Sequence, residues 1–300
     1  MVAVVLLIVG VMSFLSPVFM TSKNMTNIFR QISINGIIAV GMTFVILLGD
    51  IDLSVGAVVG VVSVVCGNLL EQGMNWFAVC LIALAVSIVF GVFNGTLVAY
   101  LNFQPFVATL ATLTIGRGVA LAYSDGRPYI INNPIFKAIG QGYVGKVPIP
   151  VIILLAVCVI CYVILNYTTF GRYFFAVGGN KNAARLSGVK TKKVEMSAYI
   201  ISAICACIVG LILSARISSG QPNAGDGYEL DAIAAVAIGG TSMNGGVGSL
   251  TGTMLGFVMI GLLSNSMNLL NINSFYQQIV KGCLIIIAVY VDMKSKGDKK

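Results

Sequence analysis

The chain has 300 residues, of which 58% are hydrophobic and only 9% are charged, and its formal net charge is +8. These values exclude a soluble globular domain, because the chain has too few charged residues to cover a core of that size. The composition instead indicates an integral membrane protein.

Apolar runs recur along the chain at lengths that suit membrane-spanning helices, which need about 20 residues to cross the hydrocarbon core. We therefore predict an all-α integral membrane protein with about ten transmembrane helices, including short or broken spans. The first run lacks a signal-peptide cleavage pattern and is predicted to be an uncleaved span. The eighth run is the weakest. The predicted spans are residues 2–19, 31–48, 54–70, 76–100, 105–123, 149–167, 196–215, 231–244, 249–268 and 275–292.

Positive charge is concentrated in two segments, which sets the predicted orientation. The first segment is residues 171–195, where basic residues far outnumber the single acidic residue Glu195, and the second is the C-terminus. The positive-inside rule places both segments in the cytoplasm. Two segments on the same side of the membrane must be separated by an even number of spans, and this holds only if residues 231–244 form a span. The six spans before the first segment then place the N-terminus in the cytoplasm too. The C-terminal cluster consists of Lys294, Lys296, Lys299 and Lys300.

This orientation leaves residues 124–148 and 216–230 as external loops. Within the first loop, Asn133-Pro134 predicts the start of a short surface helix. Arg117 lies near the outer half of the fifth span, where it needs a partner, and a structural ion pair is favoured over a substrate contact. Scattered basic residues then also lie outside, namely Lys23, Arg30, Lys137 and Lys146.

We expect residues 1–300 to form a single transmembrane domain with two weakly related halves, about 1–123 and 149–292. Residues 53–60 can be laid over residues 249–256, and each stretch opens an apolar helix after a glycine-rich break. Related halves that meet at a central pathway are common in transporters. Coincidence in a chain with 34 glycines is the open alternative.

Two polar breaks in the apolar sequence are candidates for a translocation pathway. In the first, Asp50, Asp52 and Ser54 lie between spans two and three. Carboxylates beside a membrane helix are costly unless they are hydrated or paired, which suggests a water-filled mouth or a break in a helix. The alternative is that Asp52 merely caps the following helix.

The second break follows the short eighth span and is rich in glycine. Short or broken helices in transporters place irregular backbone beside a cavity. An ordinary cytoplasmic turn between two helices is the alternative. The candidate pathway residues here are Gly239, Gly240, Thr241 and Ser242.

The basic segment predicts a short capped helix that is too short to be stable without a partner surface. Asn180 is a good N-cap, residues 181–187 suit two helical turns, and Gly188 supplies a left-handed residue that ends them. Gly178 and Gly179 allow a sharp turn out of the membrane. Ala183 and Ala184 offer a small-residue face, and Arg185 can reach an acidic partner. The segment is either a docking element or a loop that only sets orientation.

Two common elements of enzymes and nucleotide-binding proteins are absent from the chain. It has no histidine and no G-x-x-x-x-G-K-[ST] sequence to hold a nucleotide. Acidic residues inside the spans are few, so a relay of buried carboxylates is poorly supported. If transport is driven by energy, the energy comes from another chain.

Three runs of sequence resemble the membrane permeases of bacterial monosaccharide ATP-binding-cassette (ABC) importers. The likeness covers essentially the whole chain. The family usually has glycine at the position of Asp50, and the N-terminus lacks most of the family's polar leader, which leaves a trimmed or misassigned start open. The runs are VGMTFVILLGDIDLSVGAVVG (40–60), GRYFFAVGGNKNAARLSGVKTKKV (171–194) and ARISSGQPNAGDGYELDAIAAVAIGGTSMNGGVGSLTGT (215–253).

The resemblance implies a homodimeric permease of the bacterial cell inner membrane that receives a sugar from an extracytoplasmic binding protein. A separate cytoplasmic ATPase, which holds ATP and Mg²⁺, would drive alternating access. The chain is then a transport subunit that is not an enzyme, and we expect it to bind no cofactor, metal or nucleic acid. Ribose is the expected cargo. Xylose, galactose, a furanose signal or a nucleoside stays open, as does an ion-coupled secondary transporter.

The resemblance assigns a role to one set of residues, and the predicted outer loop at residues 216–230 suggests a role for a second set. In the family, an element like residues 178–188 is the coupling helix that docks in a groove of the ATPase. The corresponding residues here are Gly178, Gly179, Asn180, Ala183, Ala184, Arg185, Leu186 and Gly188. The binding protein is expected to dock on the outer side at Asp226, Tyr228 and Glu229.

Overall fold

In a computed structural model, the chain is described over residues 1–297, with the side chains of residues 288, 289 and 291–297 left out. The lysine cluster at the C-terminus therefore lies outside the described side chains. The helices are α1 (Val2–Leu15), α2 (Ser22–Ile46), α3 (Val55–Glu71), α4 (Trp76–Ala99), α5 (Pro105–Ser124), α6 (Pro134–Gln141), α7 (Ile149–Tyr167), α8 (Thr169–Gly179), α9 (Lys181–Leu186), α10 (Thr191–Ile217), α11 (Tyr228–Ile238), α12 (Leu250–Leu269) and α13 (Ser274–Gly297).

The prediction of an all-α membrane protein is confirmed, and each predicted apolar run coincides with a helix. Among the described residues, six helices are long and apolar enough to cross a membrane, namely α2, α4, α5, α7, α10 and α12. Three apolar helices or helix portions are shorter, namely α1, α3 and residues Ser274–Ile287 of α13. The eighth predicted span is shorter still, because α11 has only 11 residues. The total of ten crossings stays a prediction.

Helix α2 lies at the centre of the bundle, and the more apolar helices surround it. In the most apolar 18-residue stretch of each helix, 83% of the residues of α2 are buried, compared with 22% in α4 and 28% in both α5 and α7. Glycines allow this close packing. A side chain at Gly41 would come within 2.8 Å of Cys205 on α10. The outer faces of α4, α5 and α7 expose large apolar side chains, as expected for surfaces that contact lipid.

The strands are short and hold the loops at the end of the bundle opposite α9. Strand β1 (Tyr129–Ile130) pairs antiparallel with β4 (Ser219–Gly220), and β2 (Tyr143–Val144) pairs antiparallel with β3 (Val147–Pro148). The sequence did not predict these strands. It did predict α6, whose first backbone N–H groups donate to the Asn133 side chain.

The chain between β4 and α11 runs along α3 as a series of turns instead of forming a helix. Gly220 lies against Gly67 of α3, and farther along the segment Gly225 lies against Val59. Arg117 on α5 holds the segment in place by donating to the carbonyl oxygens of Pro222 and Ala224 at 3.0 and 2.8 Å. Arg117 also forms an ion pair with Asp226 at 3.8 Å, which agrees with the structural ion pair predicted for it. The prediction of broken spans stays a prediction.

Candidate coupling and translocation sites

Helix α9 forms as its local sequence predicts. The Asn180 side chain accepts a hydrogen bond from the backbone N–H of Ala183 at 2.9 Å, which caps the helix start. Gly188 ends the helix with a left-handed backbone, at φ +87°. Leu186 is 86% exposed, which is unusual for a leucine. The exposed side of α9 therefore presents an apolar residue beside the exposed Arg185.

Other residues of the predicted docking set are placed differently from the expectation. Gly178 and Gly179 end helix α8, which the sequence did not predict, and so they do not form a free turn. Ala184 is buried against the rest of the chain and offers no surface to a partner, whereas Ala183 is exposed. The small side chain of Ala184 serves internal packing because α9 lies flat on the bundle.

Behind α9, three segments contact one another through backbone atoms at their glycines. We call this contact the glycine junction. Its segments are residues 47–49, 178–179 and 245–246. The backbone N–H of Gly246 donates to the Leu47 carbonyl oxygen at 2.8 Å. A side chain at Gly178 would overlap that same oxygen, and one at Gly246 would come within 2.7 Å of Gly179. The junction joins the end of α2, the segment before α9 and the loop before α12.

The first polar break forms a buried hydrogen-bond network at the start of α3. Asp52 is 1% exposed, and its carboxylate accepts from the hydroxyl groups of Ser54 at 2.6 Å and Ser202 at 2.9 Å. Ser54 in turn accepts from the Asn94 side chain, and Thr112 donates to Asn94. The network ties α3, α4, α5 and α10 together. Asp52 and Ser54 thus have satisfied structural roles in this conformation, and their role in the pathway stays a prediction.

Asp50 lies apart from this network, at the end of the bundle that carries α9. Its carboxylate accepts a hydrogen bond from Tyr199 on α10 at 3.0 Å. Burial raises the pKa of Asp50 to about 7, and the bond from Tyr199 opposes this effect. Nearby, Lys181 of α9 forms an ion pair with the buried Glu195 of α10 at 2.5 Å. Helix α10 therefore connects α9 to both carboxylates of the first polar break.

The three residues predicted for binding-protein docking differ in exposure, and Glu229 is buried inside the bundle. Glu229 is only 8% exposed and its side chain contacts Gly56 in the first turn of α3. Fifteen residues separate Gly56 from Glu71 at the far end of that helix, which is about 22 Å along the axis. Tyr228 is half-buried and Asp226 is exposed beside it. A soluble protein cannot reach Glu229, because the bundle covers it.

These residues instead line a cavity of about 320 Å³ between α11 and α13. On one side lie Asp226, Tyr228, Glu229 and Asp231, and on the other lie Gln278, Lys281 and Gly282. Lys281 bridges the two helices through an ion pair with Asp231 at 2.8 Å.

The second polar break forms a turn at the opposite end of α11 from this cavity. A Cβ at Gly239 would come within 2.7 Å of the backbone of Gly252 and Thr253, and Gly240 has a left-handed backbone at φ +83°. Thr241 and Ser242 are buried, and Ser242 precedes the glycine junction. The turn matches the alternative of a connection between two helices. Its role in the pathway stays a prediction.

Several residues at these sites were not identified from the sequence. Tyr199, Ser202 and Asn94 are ordinary helix residues in sequence, and they reach the first polar break only after folding. Gln278 and Lys281 lie in the last apolar run. A lysine inside a membrane span, such as Lys281, normally pairs with an acidic residue, and this signal could have predicted a partner. The partner is Asp231.

A family model described as "Branched-chain amino acid transport system / permease component" matches residues 24–289. The chain belongs to this permease family. The ribose import permease protein of Bacillus subtilis (strain 168) is 43% identical, over 97% of this chain and 91% of its own length. The L-arabinose transport system permease protein of Escherichia coli (strain K12) is 37% identical, over 95% of this chain and 87% of its own length.

The xylose transport system permease protein of Haemophilus influenzae is 31% identical, over 93% of this chain and 91% of its own length. No solved structure matches the chain. The permease is thus a multi-pass membrane protein, and the family resemblance inferred from the sequence is confirmed.

Proposed function

We propose that this permease is the membrane-spanning subunit of an ABC importer that carries ribose into the cytoplasm. A separate ATPase drives it, and an extracytoplasmic binding protein delivers the sugar. The observation that carries the proposal is 43% identity to a ribose import permease protein over 97% of the chain. The arabinose and xylose relatives are less similar, at 37% and 31%, which favours ribose among the three sugars.

The geometry supports a coupling role for α9. The helix is capped at both ends, exposes Leu186 and Arg185, and is attached to α10 through the Lys181–Glu195 pair. A groove in the ATPase that accepts one apolar and one cationic side chain would complete this surface. ATP and Mg²⁺ belong to that partner, and the permease itself has no enzymatic role in the proposal.

The proposed topology has ten membrane crossings with both termini in the cytoplasm. The six long helices supply six crossings, and α1, α3, α11 and α13 supply the shorter ones. The helix ends lie at two opposite ends of the bundle, as helices that cross a membrane require. Asp50, Asn102, Lys181 and Glu195 share one cavity at the α9 end, while Arg30 and Gln141 meet at the other. We place the α9 end in the cytoplasm because it carries the dense basic segment.

A homodimer and two related halves of the chain complete the proposal. The close packing of α10 of the second half on α2, α3 and α4 of the first supports a single transmembrane domain. In the proposal, a second copy supplies the other side of the pathway.

The test of the proposed cargo is ATP hydrolysis by the permease and its ATPase in nanodiscs, with the system's own binding protein added. The binding protein loaded with ribose is expected to stimulate hydrolysis several-fold over the sugar-free protein, because loaded protein favours the transport cycle. Arabinose and xylose are the matched controls. Equal or greater stimulation with either of them would assign the importer to that sugar instead.

A further inference from the structure

We infer that the cleft between the start of α2 and the β2–β3 hairpin binds the headgroup phosphate of an anionic phospholipid. The cleft lies at the end of the bundle opposite α9, where Arg30 and Gln141 meet, and the proposed orientation places this end at the outer leaflet. Its volume is about 750 Å³, within the range of small-molecule sites. The inference is independent of the sugar that the permease carries.

Three of the four scattered basic residues that the sequence places outside line this cleft together. Lys23 and Arg30 are seven residues apart on α2, which puts them on one face of the helix with Asn27 between them. Lys146 lies at the tip of the hairpin, where Gly145 and Lys146 form a two-residue turn. The lining contains no carboxylate, and within the part of the chain that the structure describes none of the three cations forms an ion pair. The cleft therefore holds three positive charges without a counter-charge.

The hairpin holds the Arg30 side chain in place. Its Nη2 atom donates to the Gln141 carbonyl oxygen at 2.8 Å, and its guanidinium carbon lies 4.9 Å from the centre of the Tyr143 ring. The Nε atom is buried, whereas Nη1 keeps accessible surface and makes no described hydrogen bond. A guanidinium suits phosphate oxygens, and one that is already positioned loses less entropy on binding. Arg30 can therefore donate to a phosphate from Nη1 without rearranging.

The cleft lies at the level of the lipid headgroups. Helix α7 begins at Ile149, directly after β3, and its 19 residues span about 28 Å. The hydrocarbon core is about 30 Å thick, so the hairpin before α7 lies at its outer boundary. Lys23 precedes Arg30 on α2 and lies about 10 Å farther from the core. The cleft therefore extends through the headgroup layer, which is about 5 to 8 Å thick on each side.

Exposed apolar side chains accompany the cations at this level. Phe29 adjoins Arg30 on α2, and Val144 and Val147 are opposite each other on the hairpin, so they share one face of it. The acyl chains of a phospholipid can cover these side chains while its phosphate contacts the cations, whereas a free anion covers none of them. An acidic soluble protein would first have to displace the headgroups that surround the cleft. The combination of charge, level and apolar surface therefore favours a phospholipid.

The test is binding of phosphatidylglycerol to the delipidated full-length permease in neutral detergent, without sugar or ATP. Lys23→Gln combined with Lys146→Gln removes two of the three charges, and both residues are exposed, so the fold should be retained. Arg127→Gln combined with Lys137→Gln is the matched control, because it removes the same charge at the same end of the bundle and neither residue lines the cleft. Native mass spectrometry gives the number and affinity of bound lipids, and Tm is measured in parallel.

The cleft variant is expected to bind phosphatidylglycerol roughly thirtyfold more weakly than the wild type, the combined effect of two lysines near an anionic surface. The control variant should keep the wild-type affinity, and binding to the wild type should weaken as salt is added. Phosphatidylglycerol should raise the Tm of the wild type, whereas inorganic phosphate should not.

Three results would overturn the inference. Equal affinities of the cleft and control variants would show that the cleft holds no lipid. Equal stabilisation by inorganic phosphate would assign the cleft to free anions. Unchanged lipid binding by the cleft variant, together with loss of stimulation by the loaded binding protein in zwitterionic nanodiscs, would assign the cleft to an acidic surface of that protein. None of these results bears on the proposed cargo, because lipid binding is measured without sugar.

Discussion

Gly178→Ala is expected to destabilise the permease and uncouple it from its ATPase, although it adds only one methyl group. The new Cβ would overlap the Leu47 carbonyl oxygen, which already accepts from Gly246 in the glycine junction. Backbone shifts in a packed interior cost up to about 3 kcal/mol. The junction also connects α9 to the end of α2, so the shift is expected to displace the docking helix as well.

The neighbouring glycine provides a matched control for this prediction. Gly179→Ala adds the same methyl group, but nothing lies within 4 Å of its position. Thermal unfolding in detergent is measured for both variants. Gly178→Ala should lower Tm by several degrees, and Gly179→Ala should leave it nearly unchanged. Equal unfolding temperatures for the two variants would show that the junction does not hold these segments together.

Reversing the charge of α9 and straining its end should abolish association with the ATPase. In Arg185→Glu combined with Gly188→Val, the first change repels an acidic groove and the second forces valine into a left-handed backbone, at φ +87°. Neither residue is buried, so insertion into the membrane should be unaffected. The measurement is the amount of ATPase that co-purifies with the tagged permease, relative to the wild type.

Lys137→Glu serves as the control for charge reversal alone, because Lys137 lies on α6 at the opposite end of the bundle. It should leave co-purification of the ATPase unchanged. A double variant of α9 that still retains ATPase at the wild-type yield would remove α9 from the docking surface. The Lys181–Glu195 pair would then have only a structural role.

The features that were predicted correctly depend on short stretches of sequence. Span positions follow from runs of apolar residues, because crossing the membrane sets a minimum length for each helix. The cap at Asn180 and the left-handed Gly188 follow from local backbone chemistry, as does the Asn133 cap of α6. These features need no knowledge of what packs beside them, so one sequence suffices to predict them.

The features that were missed depend on contacts between distant segments. Ser202 reaches Asp52 across 150 residues of chain, and Gly178 meets Leu47 across a similar distance. Ala184 and Glu229 were predicted to face partners because small or acidic residues in polar segments commonly do so. Both are buried, since α9 lies flat on the bundle and the chain before α11 descends along α3. Only the fold determines which side of a short helix is covered.

The most direct test of the account is uptake of labelled ribose by proteoliposomes that contain the permease and its ATPase. The binding protein and ribose are supplied outside, and ATP is supplied inside. The account predicts accumulation above the external ribose concentration with ATP, and none with a non-hydrolysable analogue or with an ion gradient alone. Accumulation by the permease without the ATPase, driven by an ion gradient, would contradict it.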